Sequence, residues 1–148
     1  MSDVNQETVE PSAELADPAR TFTQLLSATP RGARLARLLA VEQLRTWGIS
    51  SEAAAHVVAE LAANAATHGR VPGRSFRLTL SLVAGTLRIE LTDTRRERLP
   101  QVRLPCAERE TGRGLLLVEA LADRWGVSWD KVPCKTVWAE ITVPGQHI

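Results

Sequence analysis

Between residues 75 and 92 the chain alternates with a period of two. Phe76, Leu78, Leu80 and Leu82 are separated by Arg77, Thr79 and Ser81, and the same period resumes at Leu87, Ile89 and Leu91. Successive side chains of a strand point to opposite faces, so each run makes one apolar and one polar face. Ala84-Gly85 between the runs predicts a tight turn and therefore a β-hairpin.

Two helices are expected before the hairpin. From Arg31 to Trp47 the apolar positions Leu35, Leu38, Leu39, Val41 and Leu44 recur mostly at three- and four-residue steps, which predicts an amphipathic helix stopped by Gly48. Ser50 or Ser51 caps a second helix, with Glu52 in its first turn and an Ala-rich run ending at Gly69. After the hairpin, residues 94 to 111 lose all periodicity and gather Arg, Glu and Pro, a loop long enough to suggest a lid. A helical pattern of Leu115, Leu116, Val118 and Leu121 then runs to about Arg124, followed by strand-like segments around Val127 and from Thr136 to Val143.

At 148 residues, 44% of them hydrophobic, the chain suits one domain with a two-layer core. Residues 1 to 20 carry Asp3, Glu7, Glu10, Glu14 and Asp17 among small polar residues, which predicts a flexible acidic tail ahead of a domain over 21–148. A formal charge of +1 offers no global basic field for nucleic acid. No stretch is apolar enough to span a bilayer, and the N-terminus lacks the order of a secretory signal, so a cytoplasmic protein is expected. Cys106 and Cys134 have no CxxC spacing and are read as reduced thiols.

Three places carry candidate chemistry. The second helix reads His56-x3-Glu60-x3-Asn64-x3-His68, and four-residue steps keep neighbours on one face, so Glu60 and Asn64 project together. A solvated face with two stray histidines fits the same spacing, whereas zinc fits less well because the metalloprotease pattern needs histidines four apart. Asp93 ends the second hairpin strand, where its carboxylate can accept from a ligand amine or simply serve a turn. Glu110-Thr111-Gly112-Arg113-Gly114-Leu115 puts two glycines at a helix start, where free backbone N–H groups suit an anion and a hinge is the plainer alternative.

The order of these elements resembles the Bergerat, or histidine-kinase-like (GHKL), ATPase family. Glu60-Leu-Ala-Ala-Asn64-Ala-Ala-Thr-His68-Gly69 looks like its N box, Asp93 like the aspartate of its first glycine box, and Gly112-Arg113-Gly114-Leu115 like its second. Within it, the stand-alone anti-sigma-factor serine/threonine kinases are most similar, including actinobacterial ATP-binding regulators that share Gly-Arg-Gly-Leu-Leu-Leu-Val, here 112–118, and Arg-Trp-Gly-Val, here 124–127. The resemblance implies an α/β (α+β) two-layer sandwich, with a mixed, mostly antiparallel sheet covered on one face by helices and an ATP lid over about 94–113.

It also implies roles. Asn64 would hold Mg²⁺ through its amide oxygen, Glu60 would act as general base, and Asp93 would accept from the adenine amino group with help from the Thr136 hydroxyl. Backbone amides around Gly112, Gly114 and Leu115 would cradle the phosphates of ATP, with Arg113 and lid arginines neutralising charge. The family's first glycine box usually has a glycine two residues after the aspartate, and this chain has Asp93-Thr94-Arg95. His68 is assigned a structural role and His56 none, while Trp125, Trp129 and Trp138 are expected to be core more than docking anchors.

The implied function is an anti-sigma factor that phosphorylates a STAS-type anti-anti-sigma partner or sequesters a sigma factor, with homodimerisation a further expectation. A catalytically silent, nucleotide-dependent protein-binding module is the alternative. The catalytic half of a histidine kinase shares the fold, but 148 residues leave no room for an added dimerisation segment.

Overall fold

The computed structural model describes residues 19–68, 74–94, 115–129 and 135–143. The elements run β1 (Arg20–Ser27), α1 (Pro30–Thr46), α2 (Glu52–His68), β2 (Ser75–Val83) and β3 (Thr86–Asp93), then helical residues 115–121 (α3), β4 (Arg124–Ser128) and β5 (Thr136–Thr142). The five strands form one sheet in the order β1-β2-β3-β5-β4. All four pairings are antiparallel, so the expected mixed sheet is wholly antiparallel among the described residues. The architecture is otherwise the α+β sandwich expected. The predicted tail and lid lie outside the described residues, apart from Ala19, Arg20 and Thr94.

Register explains why the core sits on one side. Leu78 opposes Leu91, Leu80 opposes Ile89, and Leu82 opposes Leu87, while β5 sets Val137, Ala139 and Ile141 against Leu91, Ile89 and Leu87. All are buried, in one apolar sheet face beneath the helices. The hairpin turn holds Ala84 at φ +50° and Gly85 at φ +82°. Positive φ at both turn positions is the geometry whose twist matches the flanking strands. Phe76 is 1% exposed, and trimming so large a buried ring to alanine costs about 3–5 kcal/mol.

The opposite sheet face is polar, and most of its charges pair with one another. Arg88 donates to Glu90 at 2.7 Å and to Glu140 at 2.8 Å, and Arg124 also bonds Glu140. The Arg124 hydrogen bond holds the Glu140 carboxyl below its ordinary range, with Arg88 adding to the effect against the cost of desolvation. Asp123 is likewise lowered, first by the Thr142 hydroxyl and then by the Thr142 backbone N–H. Trp138 lies on this face, half-buried, with the Arg88 guanidinium 4.2 Å from its ring centroid and a Cβ on Gly126 falling only 2.8 Å from the indole. Of the three tryptophans expected in the core, only Trp125 packs against it, and Trp129 is exposed.

Two further expectations change. The buried stripe of α1 is Gly32, Ala36, Ala40 and Leu44, while Leu35, Leu38 and Val41 face outward. Small residues are selected because the helix approaches the sheet closely: a Cβ on Gly32 would lie 1.9 Å from the Ser27 carbonyl oxygen. Helix ends follow the predicted chemistry, with Thr29 Oγ1 accepting from Gly32 N and Ser51 Oγ, not Ser50, accepting from Ala54 N at 3.0 Å. The third helix gives way by residue 122, and Arg124 starts a strand instead of closing the helix.

Candidate functional site

The site is built where α2 crosses the ends of β3 and β5. Ala54, Val57, Val58, Leu61 and Ala62 are buried, and their modest size lets the helix backbone settle close to the sheet. Leu61, Asn64 and Ala65 then face Leu91 and Asp93 of β3 and Val137 of β5, with Lys135 just ahead of β5, across a cleft of about 30 Å³. That is room on the order of one water molecule. Its described lining is mostly apolar, with Asn64, Asp93 and Lys135 as the polar groups.

Asn64 supplies an unusual feature of this cleft. Its Nδ2 is buried and has no hydrogen-bond partner among the described residues. A buried amide without a partner costs about 1–3 kcal/mol, so this N–H is a place where a further acceptor would be favourable. Glu60, one helical turn earlier, is half-buried but is not part of the cleft lining. His56 is exposed, consistent with the absence of any assigned role.

Asp93 reaches the cleft because parity places it beside Leu91, on the helix side, and its backbone N–H donates to the Lys135 carbonyl at 2.9 Å. Its carboxylate is taken up by Arg74, whose Nη2 lies 2.8 Å from Oδ1 and 2.7 Å from Oδ2. The two side chains are 8% and 20% exposed, so this is a largely buried ion pair. Arg74 was not singled out from the sequence. The register contained a signal: Phe76 opposes Asp93, so the hairpin brings a cation just before β2 alongside an acid ending β3. Thr94, in the altered glycine box, bonds the Ser75 carbonyl through N at 3.2 Å and Oγ1 at 2.7 Å, prolonging the β2–β3 pairing beyond Asp93.

Thr136 does not join this group. Alternation along β5 buries Val137, Ala139 and Ile141 beneath the helices and turns Thr136 to the other face, where its Oγ1 is 2.9 Å from Thr92 Oγ1. Lys135 and Val137 line the cleft in its place. Leu115 is buried in the core, leaving its backbone as the part that could meet a ligand. Gly112, Arg113 and Gly114 lie outside the described residues, as does the His68 side chain. No group of three or more His, Cys, Asp or Glu side chains suited to a metal occurs among the described residues.

The residues present fit a Mg²⁺-nucleotide in part. The Asn64 amide oxygen is a hard donor that suits Mg²⁺, while its unpartnered Nδ2 is an N–H donor suited to a ligand oxygen such as a phosphate's. The Asp93 carboxylate fits an adenine amine only after it shifts or shares its bonds with Arg74.

The described fold is an α+β sandwich with an antiparallel sheet, one helical layer, and a small cleft between the Asn64-bearing helix and the strand-end Asp93. The chain belongs to the histidine kinase-like ATPase domain family, whose model matches residues 26–141. Among solved structures it is similar to the RsbU and RsbW domains of Rv1364c from Mycobacterium tuberculosis, with a TM-score of 0.63 and 20% identity. The alignment covers 84% of this chain and 32% of that one, so the chain spans about a third of its structural relative. No curated protein matches it.

Proposed function

We propose that this protein is an ATP-binding regulator that transfers phosphate to a serine or threonine of a STAS-type anti-anti-sigma partner, and that it alternates between that partner and a sigma factor. Family membership supports ATP as the ligand, and likeness to a domain named RsbW supports the regulatory setting. The observation that carries the reading is the buried Asn64 Nδ2, without a partner among the described residues, in a cleft shared with Asp93.

The γ-phosphoryl group of bound ATP, with Mg²⁺, supplies the chemistry. Asn64 is assigned to the metal and Glu60 to the incoming hydroxyl, whose proton its carboxylate accepts. Asp93 reads the adenine amine, and Leu61, Leu91 and Val137 provide apolar walls for the base. Lys135 stands where a second polar contact to the base would be made, the role first given to Thr136. Gly112, Arg113, Gly114 and the Leu115 backbone are assigned to the phosphates. A cytoplasmic location and a homodimer belong to this proposal, and no helix among the described residues is long and apolar enough to cross a membrane.

Incubation with labelled Mg-ATP and the partner should place label on a serine or threonine, and Glu60→Ala should lose it. Undiminished transfer by that variant removes Glu60 as the base. A second reading, a silent module whose nucleotide only sets partner affinity, is favoured by the Arg74 clasp on Asp93 and by the missing glycine after it. It predicts no transfer, with partner affinity differing between ATP and ADP. Calorimetry with both nucleotides on wild type, Asn64→Ala and Asp93→Asn tests the site common to both readings.

A further inference from the structure

The outward face of α1 combines two features that a solvated helix rarely joins. Leu35, Leu38 and Val41 are exposed on it, Leu38 at 59%. The helix also carries Arg31, Arg34, Arg37 and Arg45 against a single carboxylate, Glu42. Val41, Arg37 and Arg45 continue into a groove of about 250 Å³, closed by Leu44, Ile49 and Glu52 at the start of α2. An apolar patch with a mainly basic rim marks an interaction surface, and although Glu42 pairs with Arg45 and Glu52 lines the groove, the excess of arginine favours an acidic occupant.

The chain contains such an occupant, tethered beside the groove. Residues 1–18, outside the described residues, hold Asp3, Glu7, Glu10, Glu14 and Asp17 with no Lys or Arg, and offer Val4, Val9 and Leu15 as apolar contacts. They join the fold at β1, where Arg20 Nη1 donates to the Trp47 carbonyl at 3.4 Å, at the C-terminal end of α1. Eighteen residues can reach about 60 Å, whereas α1 is about 25 Å long.

We propose that the acidic segment 1–18 docks in cis on the arginine-and-leucine face of α1 and the groove beside it. Each exposed Arg–carboxylate pair is weak by itself. The short tether raises the local concentration of the segment enough for several weak pairs to act together. An external partner with an acidic, apolar-bearing surface must displace the segment, so the segment sets a threshold for access to this face.

The test uses the full chain with Cys106→Ser and Cys134→Ser, a nitroxide attached at Ser12→Cys, and amide resonances read by NMR. Low salt should give selective intensity loss over residues 31–45 and 49–55. The loss should vanish at about 0.5 M salt, where the screening length is only a few ångströms, and in the Arg34→Glu, Arg37→Glu, Arg45→Glu triple variant. Loss spread evenly over the surface, centred on another element, or unchanged in the triple variant overturns the proposal. Mixing spin-labelled protein with isotope-labelled, label-free protein distinguishes a second copy: equal loss in the mixture means docking in trans and also overturns it.

Discussion

The two faces of the sheet handle charge in opposite ways. On the open face Arg88, Glu90, Glu140 and Arg124 neutralise one another in a chain of ion pairs, and Arg88 also covers Trp138. On the helix side Asn64 Nδ2 has no partner among the described residues, and the Asp93 carboxylate is clasped by a buried arginine. Paired charges on the open face belong to the fold's own bonding, whereas an unpartnered buried amide among the described residues leaves bonding capacity that a ligand can use.

Removing the Arg74 clasp gives the largest expected effect. Arg74→Ala withdraws the guanidinium whose Nη2 bonds both oxygens of a largely buried carboxylate and should lower unfolding stability by about 3–5 kcal/mol in urea titrations. A loss below about 1 kcal/mol would mean that Asp93 relaxes toward solvent, and the contrast between the faces would fail. Asn64→Leu comes next. It removes the orphaned amide, so ligand-free protein should be equally stable or gain up to about 1–3 kcal/mol, while nucleotide binding by calorimetry is lost. A clear destabilisation would show that the amide is satisfied in solution.

On the open face smaller changes are expected. The Arg124 side chain is 70% exposed, and Arg124→Ala should cost no more than about 1 kcal/mol by thermal unfolding. The Glu140 pKa is held below its ordinary 4.5, so its contribution is complete above that pH and is lost as pH falls through the lower folded value. Glu140→Gln should therefore flatten the decline in Tm below about pH 4.5 compared with wild type, with little change in the shape of the profile near neutrality.

Much of the fold was legible before any coordinates. The hairpin, its turn and the faces of β2 and β3 followed from strict alternation, and α2 followed from its cap and Ala-rich run. β1 escaped notice because an edge strand needs only one buried side chain, Leu26, and shows little periodicity. On α1 Leu39 and Leu44 do meet the core, but Leu35, Leu38 and Val41 do not, because close packing selected Gly32, Ala36 and Ala40 for the buried stripe. In the candidate site Asn64 and Asp93 do meet across one cleft, but Thr136 was read with the wrong parity and Arg74 was missed.

Local pattern alone determined the β2–β3 hairpin, the course of α2, and that α2 carries the Glu60-x3-Asn64 face, because backbone geometry repeats over a few residues. Only the tertiary structure decided which side of α1 meets the sheet, that Lys135 and not Thr136 lines the cleft, and that Arg74 holds Asp93. Those outcomes depend on distances between elements far apart in sequence, where the closest sterically allowed approach prevails over local hydrophobicity.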